Sequence, residues 1–481
     1  MSRERQAAVL LAFGVIAAAL GFGGAAWLDG RGELPPPPAV RAAPREEALL
    51  EPPPPPPAEP PSVVPARPSG ETAPAPAPEP EPEADPQPQP PPHPEIPLPP
   101  EPRPVPEPPP PPPPRVEPPA APPAGVVVPA GEALSGHEPA RRELVGALTS
   151  VPPGSAEEAD IRRVLTLWSD YLAPGAAPAP PGRRATIARA VRGNAWWFAR
   201  RASPAGRVLL RDEDGIILTY RRGQGFAVNP VATTGRWSGL NDDVATEALA
   251  ASLIEMGVER TAAHRRFAAW EYYDVADDPL AVRPGTSAMA QARVALLMAH
   301  AHARTGEPRF ELAALDALAA FVVDVDHGGV RSMVATEPAQ APAPWYVERA
   351  YPGESPWKGG ALNGFMVTLL NLRGTAAVLG RGGLESPVSA TAVALARDLA
   401  DRGAATLERH LADHDSGSWS YYGLLTPGRP WRSYLADLNY HCYHVRLLGW
   451  LADAYPDTSF AGTAARWQVY VDRAGAACPT R

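Results

Sequence analysis

The sequence predicts a mainly α protein, in which helical hairpins close into an α/α toroid, an incomplete (α/α) barrel, with a small β-hairpin region. In the C-terminal half, apolar residues recur at spacings of three and four, which is typical of amphipathic helices. Most of the 66 prolines lie near one end and predict a disordered Pro-rich linker, and an uncharged run ahead of them predicts a transmembrane helix. The expected parts are a cytoplasmic tail (1–6), a transmembrane signal-anchor (7–28), a Pro-rich disordered stalk (29–129), N-terminal helices with a small β region (130–240) and the toroid with the catalytic site (241–481).

The membrane segment is predicted from its length. Residues 7–28 carry no charge, and 22 residues suffice to cross the ~30 Å hydrocarbon core as a helix. Arg3 and Arg5 precede the run, which places the N-terminus in the cytoplasm and the bulk of the chain outside. A cleaved signal peptide is the alternative, with a weak cleavage site at residues 23–26.

The proline-rich segment cannot build a core. Proline donates no backbone hydrogen bond, and too few apolar side chains accompany it. A polyproline II spacer rises ~3.1 Å per residue, so about 90 residues reach roughly 280 Å. We expect either a stalk that holds the enzyme away from the membrane or a linker of no selected length.

The globular part begins near residue 130. One β hairpin is expected at 207–210 and 216–220, across an Asp-Gly turn. The long loops between the later helices carry many Trp and Tyr residues, and functional residues are expected there. Helices are predicted near 137–149, 156–172, 183–201, 242–258, 260–268, 286–304, 308–323, 361–380, 387–409, 441–454 and 460–474.

Charge and cysteine content limit the function classes. The net charge is −9, so bulk charge gives no reason to expect a nucleic-acid partner. An acidic substrate would need a local arginine cluster. Cys442 and Cys478 can pair in an oxidising compartment or remain thiols, and the sequence leaves both open. We expect no metal and no cofactor, since His441 and His444 are two ligands where zinc needs more.

Four short motifs carry the functional signal. Residues 415–424 read Asp-Ser-Gly-Ser-Trp-Ser-Tyr-Tyr-Gly-Leu, and residues 439–445 read Asn-Tyr-His-Cys-Tyr-His-Val. Upstream lie Tyr351-Pro352 with residues 362–365 (Leu-Asn-Gly-Phe), and residues 287–291 (Ser-Ala-Met-Ala-Gln) at a helix start.

In this order and spacing, the motifs resemble the C-terminal domain of the D-glucuronyl C5-epimerases, which convert D-glucuronate to L-iduronate within heparan-type polysaccharides. The resemblance covers about 225–475. It implies that Tyr422 and Tyr440 are the catalytic pair, with Tyr351 as a further active-site phenol. Removing H5 of a uronate leaves an enediolate-like anion, so the reaction needs a base on one face, an acid on the other, and donors around the carboxylate.

The sequence departs from the family pattern at two positions. Where the family has a glutamate before the Tyr-Pro pair, this chain has Ala350, and Glu348 or Glu354 could replace that glutamate. An arginine of the family is replaced by Leu425. The predicted catalytic residues are Tyr422, Tyr440, Tyr351 and Glu348, and the predicted substrate-binding residues are Arg429, Arg432, His441, His444, Asn363, Gln291 and Trp419.

The expected function is an epimerase-like activity on a uronic-acid-containing polysaccharide, the acidic partner. A polysaccharide lyase or glycoside hydrolase on the same scaffold is the first alternative, with Glu271, Glu348, Asp415 and Asp437 as candidate carboxylates. A non-catalytic, membrane-anchored glycan-binding protein of the cell envelope is the second. The membrane is expected as a partner through the N-terminal helix, and a homodimer is possible.

Overall fold

The computed structural model describes residues 124–128, 136–237, 243–273, 284–335, 340–353, 360–381, 386–423 and 435–479. All of them belong to one compact unit of the chain. The predicted cytoplasmic tail, membrane span and most of the stalk lie outside the described residues and stay predictions.

The described part is mainly helical, which confirms the predicted fold class at that level. The N-terminal helices are α1 (His137–Leu148), α2 (Ala156–Tyr171), α3 (Pro181–Phe198), α4 (Pro230–Trp237) and α5 (Asp243–Met256). The later helices are α6 (Ala288–Thr305), α7 (Pro308–Ala319), α8 (Leu362–Arg381), α9 (Pro387–His410), α10 (Leu438–Ala454) and α11 (Phe460–Arg473).

A four-stranded sheet packs with the N-terminal helices, in the order β1-β2-β3-β4. The predicted hairpin is present as β2 (Val208–Arg211) and β3 (Ile217–Arg221), and β4 (Gly225–Val228) extends it. The boundary of the stalk at 129 was wrong. Residues 124–127 form β1 (Ala124–Val127), which pairs in parallel with β2 because its Val-rich end supplies apolar side chains that the prolines lack.

The helix predicted at 260–268 was also wrong. The segment is a hairpin of β5 (Val258–Ala262) and β6 (Arg265–Ala269), closed by Ala263 and His264 at φ 47° and 61°. Two consecutive positive φ values are typical of type I′ turns, whose backbone twist matches the right-handed twist of the two strands that they connect. A third small sheet joins β7 (Arg331–Val334) to β8 (Ala343–Tyr346) and was not predicted.

Consecutive helices pack in pairs, α6 with α7, α8 with α9, and α10 with α11. Helix α8 lies at the centre of this arrangement, since it contacts α6, α9 and α10. Within the described residues, α8 also has the length and hydropathy of a membrane span, but 83% of its apolar window is buried inside the protein, as in a core helix. The paired packing agrees with helical hairpins, and the closure of the hairpins into a toroid stays a prediction.

A disulfide joins Cys442 on α10 to Cys478 in the segment that follows α11. The structure thus answers the question that the sequence left open. The bridge ties the chain end to the helix that carries Tyr440, two residues before Cys442.

Candidate active site

The two tyrosines of the predicted catalytic pair lie in contact. The ring centroids of Tyr422 and Tyr440 are 4.7 Å apart, in an edge-to-face arrangement at 74°. Ala361 and Ala436 pack beside them and complete a small apolar cluster. The hydroxyl oxygens of both tyrosines are buried, and the Tyr422 side chain is 1% exposed. Neither hydroxyl is accessible to a polymer in this conformation.

Local backbone structure fixes the position of each ring. Tyr440 lies in the first turn of α10, where its N–H donates to the Asp437 side chain over 2.8 Å, so Asp437 is the N-cap of this helix. The carbonyl of Tyr422 accepts a hydrogen bond of 2.9 Å from the N–H of Leu362, at the start of α8. The loop before α10 and the start of α8 therefore hold the two phenols together.

Asp415, the first residue of the longest motif, is a structural anchor. Its carboxylate accepts hydrogen bonds from Trp467, Tyr470 and Arg466 on α11, at 3.0, 3.1 and 2.8 Å. It also accepts a hydrogen bond of 2.9 Å from the N–H of Gly417. Gly417 has a φ of 81°, a backbone conformation that glycine adopts more readily than other residues. Burial alone would raise the pKa of Asp415, but these donors together lower it. The motif thus fastens the tyrosine loop to α11.

His441 is a neutral imidazole with a defined tautomer. Burial lowers its pKa to about 4. The N–H of Ser420 donates to His441 Nδ1 over 3.1 Å, so Nδ1 carries a lone pair. The proton therefore lies on Nε2, which donates to the carbonyl of Trp467 over 3.0 Å. The ring of Trp419 stacks on His441 at 3.9 Å and its Nε1 donates to Ala436 O over 2.7 Å.

His444 lies one helical turn further along α10 and closer to the phenols. The Ser420 hydroxyl bridges the two rings, at 2.8 Å from His441 Nδ1 and 2.9 Å from His444 Nδ1. Burial lowers the pKa of His444 well below its usual value, so this ring is neutral as well. Its centroid is 6.4 Å from that of Tyr422, and its Nε2 is buried without a hydrogen-bond partner among the described residues.

The other predicted substrate-binding residues lie in the interior or outside the described part. Gln291 is fully buried and holds β6 to α6. Its side-chain oxygen accepts a hydrogen bond of 2.9 Å from the N–H of Trp270, and its side-chain nitrogen donates one of 2.8 Å to the carbonyl of Ala268. Trp419 is also fully buried, so access of substrate to it, to Gln291 and to His441 stays a prediction without geometric support. The predicted contacts of Arg429 and Arg432 lie outside the described residues.

Glu348 and Tyr351 line one small, partly open pocket with room for about one water molecule. Glu348 is 3% exposed, and its Oε2 has no hydrogen-bond partner within the described part. Burial raises the pKa of Glu348 to about 7, against the opposing effect of the Arg293 and Arg349 charges. The guanidinium of Arg349 lies 5.7 Å from the Tyr351 ring centroid.

The first turn of α8 connects this pocket to the phenols. Ala361, just before the helix, packs on Tyr422. Three residues later, a Cβ at Gly364 would overlap the Glu348 carboxylate, so glycine is needed for the close approach. Asn363 lies between the two, fully buried, and its amide atoms have no hydrogen-bond partner among the described residues.

Arg293 is a site residue that the sequence analysis missed. It lies on α6, is 3% exposed, donates 3.2 Å to the carbonyl of Val231, and interacts electrostatically with Tyr443 and Glu348. Burial lowers its pKa, and the nearby Tyr443 and Glu348 oppose that shift. An arginine among the apolar residues of 292–299 was the signal that could have identified it.

Replacing Glu348 by Gln should make stability less dependent on pH. The folded pKa of about 7 lies above the ordinary 4.5, so the neutral carboxyl is tolerated below pH 4.5 and stability is lost as the pH rises through 7. Gln stays neutral. We expect Glu348→Gln to unfold like the wild type at pH 4.5 and to be more stable at pH 8, by up to about 3 kcal/mol, in urea unfolding.

The matched control is Glu259→Gln, whose side chain is 69% exposed. It should leave the pH dependence as in the wild type. Equal stability of the wild type and Glu348→Gln at pH 8 would show that Glu348 ionises normally in the folded state.

Two comparisons bear on this site. Residues 265–469 match the family described as D-glucuronyl C5-epimerase C-terminus. D-glucuronyl C5-epimerase of Caenorhabditis elegans is 28% identical over 198 residues, which are 41% of this chain and 30% of that enzyme. The matched region contains Tyr351, Tyr422, Tyr440 and Glu348.

By these two matches, the C-terminal part resembles an epimerase domain, and the name of the matching family implies the isomerase class. More specifically, residues 265–469 are a C-terminal domain of the D-glucuronyl C5-epimerase family.

Proposed function

We propose that the protein epimerises uronate residues of a polysaccharide at C5, by proton abstraction and re-protonation. The observation that carries the proposal is the contact between Tyr422 and Tyr440, whose rings lie 4.7 Å apart beside the start of α8. The C. elegans relative is described as a D-glucuronyl C5-epimerase. This chain covers 30% of its length, so the activity of the whole protein is part of the proposal.

In the proposed reaction, one phenolate takes H5 and the C5–H electron pair moves toward the carboxylate to form an enediolate. The second phenol then gives its proton to C5 from the opposite face, which leaves the inverted sugar. Each tyrosine ends with the charge that the other began with, so a proton must pass between the phenols to reset the site. The 4.7 Å contact between the ring centroids is the arrangement without a sugar between the phenols, and the reset takes place in that arrangement.

The enediolate needs donors around its oxygens. Arg293 supplies a buried positive charge next to Glu348. Since the pKa of Glu348 is about 7, near neutral pH much of it is protonated and can donate a hydrogen bond instead of repelling the anion. The start of α8 adds the positive end of a helix dipole between the pocket and the phenols. These three features support proton abstraction next to a carboxylate.

The hydrolase alternative needs two available carboxylates. Of the four candidates, Glu271 is ion-paired with Arg183 and Arg260. Asp415 anchors the tyrosine loop, and Asp437 caps α10. Glu348 is the one candidate of the four without such a structural role. Because a hydrolase needs two available carboxylates, this disfavours a two-carboxylate mechanism among these residues.

The remaining parts of the proposal concern the setting of the reaction. The helical hairpins close into a toroid, and the substrate is an acidic polysaccharide of the heparan type. Residues 7–28 anchor the chain in a membrane with its N-terminus in the cytoplasm and the catalytic part outside it, and a homodimer is possible. The paired helices support the toroid, and the uncharged run supports the membrane anchor.

The test is incubation of the full chain, in mild detergent, with an unsulfated glucuronate–glucosamine polymer in deuterated water. Deuterium at C5 without chain cleavage is the expected result. An unsaturated uronate absorbing in the ultraviolet would identify a lyase instead, since elimination begins with the same proton abstraction. Binding of the polymer with neither product would leave the glycan-binding alternative.

A further inference from the structure

Glu271 is the centre of a buried ion cluster that the proposed reaction does not use. Its side chain is fully buried, and its carboxylate pairs with two arginines, Arg183 and Arg260. Arg183 donates through Nε and Nη2, over 2.9 and 3.0 Å, so its guanidinium binds both carboxylate oxygens as a fork. The hydroxyl of Tyr273 donates to the same carboxylate. Burial alone would raise the pKa of Glu271, but the two arginines lower it, so this buried group is an anion at neutral pH.

The cluster joins distant parts of the chain. Arg183 lies in the first turn of α3, 88 residues before Glu271, and Arg260 lies on β5. Nη1 of Arg260 also donates to the carbonyl of Gly328. Both arginines precede residues 265–469, which match the epimerase family, whereas Glu271 and Gly328 lie within that region. The cluster therefore fastens α3 to the epimerase-like domain.

Close backbone packing brings Arg183 to this place. The preceding residue is Gly182, and a Cβ there would lie 2.1 Å from the carbonyl oxygen of Gly257, just before β5. Helix α3 also packs against α5 and β5. The start of α3 is thus in direct contact with the chain segment that leads to Arg260.

The residue after Glu271 begins a path to Tyr351, the predicted active-site phenol. The N–H of Tyr272 donates a hydrogen bond of 2.7 Å to the carbonyl of Gly285. The backbone of Gly285 lies against the ring of Tyr351, since an added Cβ would be 2.1 Å from Cε1 of that ring and 2.7 Å from its hydroxyl oxygen. A shift of the backbone at Glu271 would therefore be passed to Tyr351 through one hydrogen bond and one packing contact.

The backbone that leads into Tyr351 is joined to the same path. Thr286 follows Gly285, and its N–H donates over 2.9 Å to the carbonyl of Ala350, the residue before Tyr351. The N–H of Ala350 donates back to the carbonyl of Thr286, also over 2.9 Å. Residues 285–286 thus contact both the ring of Tyr351 and the backbone next to it.

Stability alone gives no reason for a buried ion cluster at this place. Buried ion pairs can often be replaced by apolar residues of similar volume without loss of stability, because the desolvation cost offsets the attraction. What an arginine fork does supply is a fixed geometry, since it binds a carboxylate in one plane and one orientation. A fixed geometry matters for a proton carrier, because a displacement of about 1 Å can lower a rate by about 100-fold.

We propose that the cluster of Arg183, Glu271 and Arg260 holds Tyr351 in position for the reaction, so that α3 belongs to the architecture of the active site. The role of Tyr351 in the reaction rests on the proposed function. Glu271 and the two arginines are positioning residues, which act through the hydrogen bond of Tyr272 and the backbone that packs on Tyr351.

The test compares Arg183→Ala with Arg189→Ala in the full chain. Arg189 lies on the same helix, is 7% exposed, and pairs with Asp212 and Asp214 at 2.8 and 2.7 Å, so each variant loses one ion-paired arginine of α3. We expect Arg183→Ala to lower the kcat of deuterium exchange at C5 by about 10- to 100-fold, with KM for the glucuronate–glucosamine polymer unchanged. Arg189→Ala should keep the wild-type kcat. Arg183→Lys, which keeps the charge but not the fork, should lose less than Arg183→Ala.

Two further measurements, made well below the Tm of each variant, separate positioning from a general loss of stability. In a Tyr351→Phe background, Arg183→Ala should lower kcat little further, because it acts through a hydroxyl that is already absent. Amide hydrogen exchange at Thr286 and Ala350 is followed by mass spectrometry with residue-level fragmentation. It should be about tenfold faster in Arg183→Ala and unchanged in Arg189→Ala.

An equal fall of kcat in Arg183→Ala and Arg189→Ala would overturn the proposal, as would full additivity of Arg183→Ala with Tyr351→Phe. Wild-type kcat and wild-type amide exchange in Arg183→Ala would do the same. If Arg183→Ala does not fold, Arg183→Lys replaces it, and wild-type behaviour of that variant would overturn the proposal. If the wild type exchanges no deuterium at C5, the epimerase proposal fails, and amide exchange still tests whether the cluster holds Tyr351.

Discussion

Replacing Tyr440 by Phe should lower deuterium exchange at C5 by about 100-fold or more. The phenol is a proton carrier in the proposed reaction, and general acid–base groups contribute about 10²–10⁴ to rate. Phe preserves the ring and therefore the edge-to-face contact with Tyr422. The effect should appear in kcat, because the hydroxyl acts at the transition state. Exchange is measured by mass spectrometry of the polymer after digestion.

The matched control is Tyr455→Phe, at the other end of α10, where the hydroxyl donates 3.2 Å to Asp401. This variant also loses one phenolic hydroxyl and should keep its exchange rate. Circular dichroism and thermal unfolding establish that both variants are folded. Undiminished exchange in folded Tyr440→Phe would remove Tyr440 from the reaction, and Tyr422→Phe would then test the second phenol separately.

Replacing both Cys442 and Cys478 by Ser should lower the free energy of unfolding by about 4 kcal/mol. The bridge closes a loop of 36 residues, and the loss of loop-closure entropy in the unfolded chain gives this magnitude. With an unfolding entropy of ~2.1 cal/mol/K per residue, the Tm should fall by roughly 5 °C. Differential scanning calorimetry of the oxidised wild type and the double variant measures it.

Reductant provides the control. Dithiothreitol should shift the wild type toward the double variant and leave the variant unchanged. The exchange rate well below the Tm should fall less than the stability, because hydrogen bonds of Asp437 and Ser420 hold α10 and its histidines independently. An identical Tm for the wild type and the double variant under oxidising conditions would mean that the cysteines are not bridged in solution.

The sequence predicted those elements best whose formation depends on residues close together in the chain. Most helices follow directly from apolar spacing, and the hairpin at Asp212–Gly215 follows from its turn residues. The motifs paired Tyr422 with Tyr440, and the structure brings the two rings into contact. Their catalytic role stays a prediction.

Features that depend on distant contacts could not be predicted. Ala263 and His264 are poor turn residues by type, and their positive φ values come from the pairing of β5 and β6. The partner of β1 lies about 80 residues further along the chain. Burial against α8 raises the pKa of Glu348, and the charge of Arg293 from α6 opposes that rise. No spacing in the sequence records either neighbour.

The parallel pairing of β1 with β2 has a mechanical consequence. The first described segment begins at Ala124, and four successive residue pairs join β1 to β2 from that point. A force applied along β1 from its N-terminal end would act on the hydrogen bonds between β1 and β2 in shear. These bonds would therefore resist the force together and would not break one after another. Force applied at Ala124 would therefore be carried by a strand of the four-stranded sheet.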